Sequence, residues 1–375
     1  MKSEAKQMKT SLENHYQKID HFFASVTPKL SLSAYLTPIN LTTERQNFFD
    51  HLDYSPQFIY QKIPIKNLNR IQARLSGISI PPTDHPLSII LNAKREELLK
   101  KIDLIKSIGT DNFPQLSARL FPLPKATLVS KAKETYRNPS PAKDTAPPLS
   151  KEVIIKWITN ALKPTDIPHQ INFVPDGSAR IQVKPSSRGI KIIVCLSQGR
   201  AFTHSSLTGA IAHEIETHAF RYANGQRQLY NFFTYGTSQY LETEEGLAIY
   251  NREQVQPSRY RISSPSISVL AIMKAQTASF RATYNYLMGK GIVYPLAAFG
   301  LTFRVKRGLA NTSLSGAFTR ESIYLAGHLK IKSFVASGGD LRSLHLGKIS
   351  PEDLAIIHNI SSLKQPQYIP SYLTK

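Results

Sequence analysis

The run His213-Glu214-Ile215-Glu216-Thr217-His218 places two imidazoles and two carboxylates within a short stretch. Imidazole nitrogens ligate zinc, and a glutamate beside such an ion is suited to act as a general base. The spacing is His-Glu-x-x-x-His. That is one residue longer than His-Glu-x-x-His, in which imidazoles four apart share one helical face. Five apart, at about 100° per residue, they diverge by roughly 140° on an ideal α-helix. Both reach one ion only where the helix is locally overwound or carries a π-bulge. The competing interpretation is a solvated polar face with two unrelated histidines.

A second stretch, Leu241-Glu242-Thr243-Glu244-Glu245-Gly246-Leu247-Ala248-Ile249-Tyr250, reads as a helix whose carboxylate precedes Gly-Leu-Ala. A catalytic zinc takes three protein ligands and leaves a fourth position to water. His213, His218 and one glutamate complete that set and leave Glu214 free as base. The small residues let this helix pack closely against the histidine-bearing one.

These groups need a scaffold. Leu207, Ile211, Ile215 and Ala219 recur at helical spacing and predict a buried stripe opposite the His/Glu side. Ser205, Ser206 or Thr208 can cap the start of that helix, and Asn224-Gly225 reads as its stop. Upstream, Ser178–Lys184 and Ile190–Leu196 flank the turn Pro185-Ser186-Ser187-Arg188-Gly189 and predict a hairpin. A strand just before a metal-binding helix can form the edge along which a peptide lies extended. A plain structural hairpin is the alternative. Further helices are predicted over 1–25, Leu87–Ile108 with Gly109 as its end, Phe113–Thr135, Lys151–Leu162 with Trp157, and Val269–Met288. Arg137–Ser150, with four prolines and no apolar periodicity, reads as a linker. It divides an N-terminal helical region, 1–145, from a catalytic domain, 146–375, or else forms a loop within one unit.

The chain has 375 residues and a net charge of +21, from 47 Lys+Arg against 26 Asp+Glu. That balance attracts polyanions such as acidic protein tails, and no specific nucleic-acid motif accompanies it. No apolar run is long enough to span a bilayer, and Met1–Leu12 lacks a hydrophobic signal core. The single cysteine, Cys195, excludes an intrachain disulfide framework and reads as an inert buried thiol. A cytoplasmic protein is the expectation.

Four pieces occur in order over roughly residues 150–360. They are His213 to His218 with Arg221, Thr243-Glu244-Glu245-Gly246-Leu247-Ala248, Arg304-Val305-Lys306-Arg307-Gly308-Leu309, and the segment Gly316 to Gly327. Together they resemble the tyrosine carboxypeptidase family, whose bacterial relatives carry a Gln-Glu-Gly-Leu-Ala motif. Glu244 stands where that motif has Gln, so the ligand glutamate maps onto Glu245, with Glu244 as the alternative. The resemblance implies an α+β, mostly helical fold: a zincin-like metallopeptidase core with a small antiparallel sheet beside the active-site helix. It also implies one Zn2+ per chain on His213, His218 and Glu245, with Glu214 as catalytic base. The implied reaction releases a C-terminal tyrosine or other aromatic residue from a protein or peptide, with an acidic tail such as that of α-tubulin as the substrate type.

A carboxypeptidase must also hold the substrate's terminal carboxylate, which arginine binds bidentately. Arg304, Arg307 and Lys306 are the candidates, with a solvated basic face as the alternative. Tyr324 is a candidate donor to the oxyanion, or else a buried core tyrosine. Two rival functions stay open: a zinc endopeptidase or aminopeptidase with the same metal site, and a non-catalytic basic binding module.

Overall fold

The computed structural model describes residues 2–81, 84–136, 146–175, 180–186, 189–196, 201–256, 263–291, 294–360 and 362–374. The chain divides into two compact units. The first comprises Met1–Asp84, Leu91–Pro139 and Ile262–Ala326; the second comprises His85–Ile90, Ser140–Arg261 and Gly327–Lys375. A cut in chain order at 145/146 does not follow these units: residues 262–326 group with the N-terminal helices and residues 85–90 with the second unit. Residues 137–145 of the expected linker lie outside the described residues.

The first unit is helical. Its apolar cluster joins Phe48, Phe280 and Phe299, whose rings lie 5.1–5.3 Å apart. Two helices expected to be continuous are broken here. The stretch 113–135 forms Phe113–Leu120 and Ala126–Tyr136. Pro122 and Pro124 stand between them; neither donates a backbone hydrogen bond, and each disfavours helical geometry in the residue before it. Likewise 269–288 lies in Ser263–Ala275 and Phe280–Gly289. Ser279 starts the second of these, its hydroxyl accepting from the Ala282 N–H at 3.1 Å.

The second unit packs the helix Lys151–Leu162 and the histidine helix around a small sheet. Ile154, Ile158 and Leu162 meet Ile190, Ile192, Val194, Leu207, Ile211, Ile215 and Ala219 in one buried cluster. Trp157 lies against its rim. The sheet has three strands, β1 (His169–Val174), β2 (Ile181–Ser186) and β3 (Gly189–Cys195), in the order β1-β3-β2. β2 and β3 form the expected hairpin, Ile181 opposite Val194 and Ser186 opposite Gly189; turn residues 187–188 lie outside the described residues.

The sheet is mixed, not purely antiparallel, because β1 pairs parallel with β3 from His169↔Ile190 to Val174↔Cys195. β1 begins with two polar residues, so its apolar signal rests on Ile171, Phe173 and Val174. The central position of β3 explains its almost unbroken apolar run Ile190-Lys191-Ile192-Ile193-Val194-Cys195, in which Cys195 is fully buried. It also moves the free edge. β3 leads into the histidine helix but is paired on both sides, so among the described residues β1 and β2 are the edge strands.

Candidate active site

The histidine helix runs His204–His213 as α-helix, Glu214–Ala219 as one π-helical turn, and Phe220–Gln226 as α-helix again. Its stripe of Leu207, Ile211, Ile215 and Ala219 is buried as the spacing predicts. The cap is Thr203, two residues ahead of the first expected candidate, Ser205. Its hydroxyl accepts from the Ser206 N–H at 3.2 Å while Ser206 Oγ accepts from the Thr203 N–H at 2.9 Å. The helix continues through Asn224-Gly225 because neither residue acts as a stop. Asn224 uses its amide on residues 367–368. Gly225 admits the Phe233 backbone, whose oxygen would lie 2.3 Å from any Cβ there.

The π turn resolves the spacing problem posed by the sequence. An i→i+5 turn stacks residues five apart, so the two imidazoles come to the same side. Their ring centroids are 5.2 Å apart. Glu245, from the helix Tyr240–Val255, meets them: its Oε2 lies 4.0 Å from His213 Nε2 and 4.0 Å from His218 Nε2. One ligand atom from each of the three lies within 4.8 Å of the others. Glu214 Oε1 is 3.9 Å from His213 Nε2. The four side chains are only 13–18% exposed, so the cluster opens narrowly to solvent.

Glu244 plays a different part from its neighbour. Its Oε1 accepts from His218 Nδ1 at 2.8 Å, on the ring edge away from Glu245. Its Oε2 pairs with Arg221 Nη1, and Lys348 Nζ lies 3.8 Å from Oε1. Arg221 is fully buried, its Nε donating to the Leu344 and Gly347 carbonyls at 2.9 Å and its Nη2 to Ile349 at 2.5 Å. A carboxylate on the far nitrogen of a ligating histidine fixes the ring's tautomer and orientation. Gly246 does not face the histidine helix. A Cβ there would lie 2.1 Å from the backbone of Gly327, so the small residue lets a different segment approach.

The protonation states follow from this arrangement. Burial pushes the Glu214 carboxyl up to about 7; the His218 charge opposes the shift and Glu245 adds to it. Burial also acts on Glu244, but Arg221, Lys348 and His218 outweigh it and hold this carboxyl well below the usual range. For His218, burial is overcome by its bond to Glu244 and by the charges of Glu244, Glu245 and Glu214, raising it to about 9. His213 is lowered well below 6.5 by burial and by the neighbouring His218.

The donor set suits a divalent ion of the zinc type: two imidazole nitrogens and one carboxylate oxygen, with a carboxylate behind one ring. Bonds of about 2.0–2.2 Å at tetrahedral angles would set such atoms about 3.4 Å apart, roughly half an ångström closer than the 4.0 Å contacts here.

The other candidates belong to the first unit. Lys306 is fully buried, and its Nζ donates to the carbonyls of Ala275, Ala278 and Leu314 at 3.3, 2.5 and 2.6 Å. An ammonium has three donors, so none is left for a substrate, and its place in the basic run was misleading. Arg304 Nε and Arg307 Nη2 lie 3.6 and 3.4 Å from the Glu321 carboxylate. Arg304 remains 40% exposed and Arg307 14%. Tyr324 begins the helix Ile323–Ala336 and lies close enough to Arg307 to influence its charge.

Sequence reading missed Thr217, Asn251, Lys348 and Tyr372. Only Arg221, three residues after His218, carried a local signal. Thr217 lies within the histidine turn and Asn251 on the Glu245 helix, while Lys348 and Tyr372 come from a loop and a tail that no spacing rule connects to the site.

Residues 46–375 match the family described as microtubule-associated tyrosine carboxypeptidase. Microtubule-associated tyrosine carboxypeptidase 1 of Mus musculus is 25% identical over 331 residues, covering 85% of this chain and 60% of the relative. The proteins of the same name from Rattus norvegicus and Homo sapiens are 25% identical over 337 and 331 residues, with the same coverage. This chain thus spans 60% of the length of these relatives. Matched from residue 46 to residue 375, the chain belongs to the microtubule-associated tyrosine carboxypeptidase family.

Proposed function

We propose that this chain is a zinc-dependent carboxypeptidase that removes the last residue, a tyrosine or another aromatic, from a protein or peptide. The observation that carries this reading is the convergence of His213 Nε2, His218 Nε2 and Glu245 Oε2 beside the largely buried carboxylate of Glu214. Family membership supports the choice of a C-terminal bond. His213, His218 and Glu245 would hold the ion, with Glu244 and Arg221 fixing His218 from behind. When bound, the ion supplies Lewis acidity, polarising a carbonyl oxygen and acidifying water.

The chain's own groups then do the following. Glu214, titrating near neutrality, takes a proton from the attacking water at its carboxylate and returns it to the leaving amine. The free edge of β2 offers backbone groups that can pair with an extended peptide irrespective of its side chains. Arg304 and Arg307 are the candidates for the substrate's terminal carboxylate, and Tyr324 for a donor to the oxyanion. The charge of +21 favours an acidic substrate tail, of which that of α-tubulin is the candidate implied by the family.

The test is mass spectrometry of peptides with varied C-termini after incubation with zinc-loaded protein. Loss of a single terminal aromatic residue, abolished by C-terminal amidation, is the expected result. Internal cleavage, or equal cleavage of amidated peptides, would favour an endopeptidase. A protein that binds no zinc and leaves every peptide intact would favour the non-catalytic binding module.

A further inference from the structure

We propose that Thr217, Asn251 and Tyr372 are positioning residues for the metal centre. They form a one-way chain of hydrogen bonds that holds the π turn and so turns His213 and His218 toward one divalent cation. The inference rests on the metal reading above and adds to it the device that makes a five-residue histidine spacing workable.

Thr217 lies inside the turn, and its hydroxyl donates to the Ala212 carbonyl at 2.7 Å. A helical threonine ordinarily turns its hydroxyl to the carbonyl three or four residues back. Here it reaches five back, the interval that defines the π turn itself. With its one proton committed to Ala212, Thr217 can only accept from its other neighbour. That neighbour is Asn251 on the Glu245 helix, whose Nδ2 donates to Thr217 Oγ1 at 2.8 Å. The Tyr372 hydroxyl donates to Asn251 Oδ1 at 2.7 Å, which fixes the amide with its nitrogen toward Thr217. Every donor in the series points the same way, from Tyr372 to Ala212. Thr217 and Asn251 are fully buried, so water does not replace the bond between them or the bond to Ala212, and Tyr372, partly buried, closes the outer end.

The tail that brings Tyr372 is itself tied down. Ser371 bonds the Glu216 carboxylate through both its hydroxyl and its backbone. Arg342 Nη2 donates to the Leu373 carbonyl at 2.8 Å. Adjacent residues of the turn, Glu216 and Thr217, are thus held from outside the helix, one directly and one through Asn251. The uninterrupted α-helix is the commoner geometry, and in it the two imidazoles diverge by roughly 140°. A turn this unusual needs partners beyond its own backbone.

The experiment compares wild type with Thr217→Val, Thr217→Ser and Tyr372→Phe. Zinc affinity is read by competition with a chromogenic chelator, and ligand geometry by the visible spectrum of the cobalt(II)-substituted protein. Circular dichroism and thermal melting of the metal-free proteins report the fold. Thr217→Val keeps the side chain's shape and removes the hydroxyl; zinc binding should weaken about 10- to 100-fold, with an altered cobalt spectrum. Thr217→Ser should restore both. Tyr372→Phe should reproduce a smaller part of the loss, and the two losses should not add in the double variant. If Thr217→Val does not fold, Tyr372→Phe and Thr217→Ser carry the comparison. Unchanged affinity and spectrum in the folded variants, with only the melting temperature lowered, would overturn the inference. A wild-type protein that binds no zinc would overturn the metal reading and this inference together, whereas normal wild-type binding with unaffected variants would overturn this inference alone.

Discussion

Residues 304–307 and 213–218 each crowd ionisable side chains into a few positions, and they finish in opposite states. In the first stretch the charges are met mainly by the protein's own groups. Lys306 spends all three protons on backbone carbonyls, and Arg304 and Arg307 lean on Glu321. In the second, the outer edges of the groups are closed and the inner edges left open. His218 is fixed by Glu244 on one nitrogen while the other faces Glu245, and for Glu214 burial outweighs the neighbouring positive charge. Composition does not separate the two cases. What separates them is whether lone pairs and protons are used up by the protein or left converging on one point, which is the condition for binding something else.

Four changes would break or sharpen this contrast. The largest effect belongs to Glu214→Gln, which keeps the shape and deletes the base. Turnover should fall by about 10²- to 10⁴-fold with zinc stoichiometry unchanged, checked by peptide hydrolysis and metal analysis. Normal turnover in that variant would remove Glu214 from the mechanism.

Glu244→Gln comes next. It should weaken zinc binding about 10- to 100-fold, since the carboxylate that orients His218 is gone. It also strands a buried Arg221, so the metal-free protein should lose about 3–5 kcal/mol of stability by denaturant titration. Wild-type affinity in this variant would mean that Glu244 does nothing for the metal.

Lys306→Met tests the closed region. Carbonyls lose their donor, so stability should drop by about 1–3 kcal/mol while zinc binding stays as it was. The same site gives a pH signature. Burial lowers the Lys306 pKa from 10.5 to about 8. Between those values the unfolded chain binds more protons than the folded one, so this group makes stability rise with pH across that window. The methionine variant should lack that rise. Loss of zinc binding in Lys306→Met would show that the basic stretch is not purely structural.

The smallest effect on stability is expected for Arg304→Ala. Its exposed pair with Glu321 should contribute within about 0.5 kcal/mol, yet KM for peptides with a free C-terminus should rise if Arg304 holds that carboxylate. Equal KM values for the variant and wild type would return Arg304 to the solvated basic face.

The sequence by itself determined a good deal. Spacing of Leu207, Ile211, Ile215 and Ala219 carried the helix and its buried side, and the five-residue interval between His213 and His218 already required a distorted turn. β-branched runs around a Gly-containing turn carried the β2–β3 hairpin, and the Glu-Gly-Leu-Ala stretch carried the second helix. These are local signals, set by periodicities within one element.

Only the tertiary structure decided the rest. Which of two adjacent glutamates faces the histidines depends on Arg221, and Arg221 is held by carbonyls 123 to 128 residues further on. The parallel partner of β3, the burial of Lys306 and the contact of Gly246 with Gly327 likewise depend on segments brought together from a distance. A side chain's hydrogen-bond partner is a property of the packed chain. Residue type limits which bonds are possible, and packing selects among them.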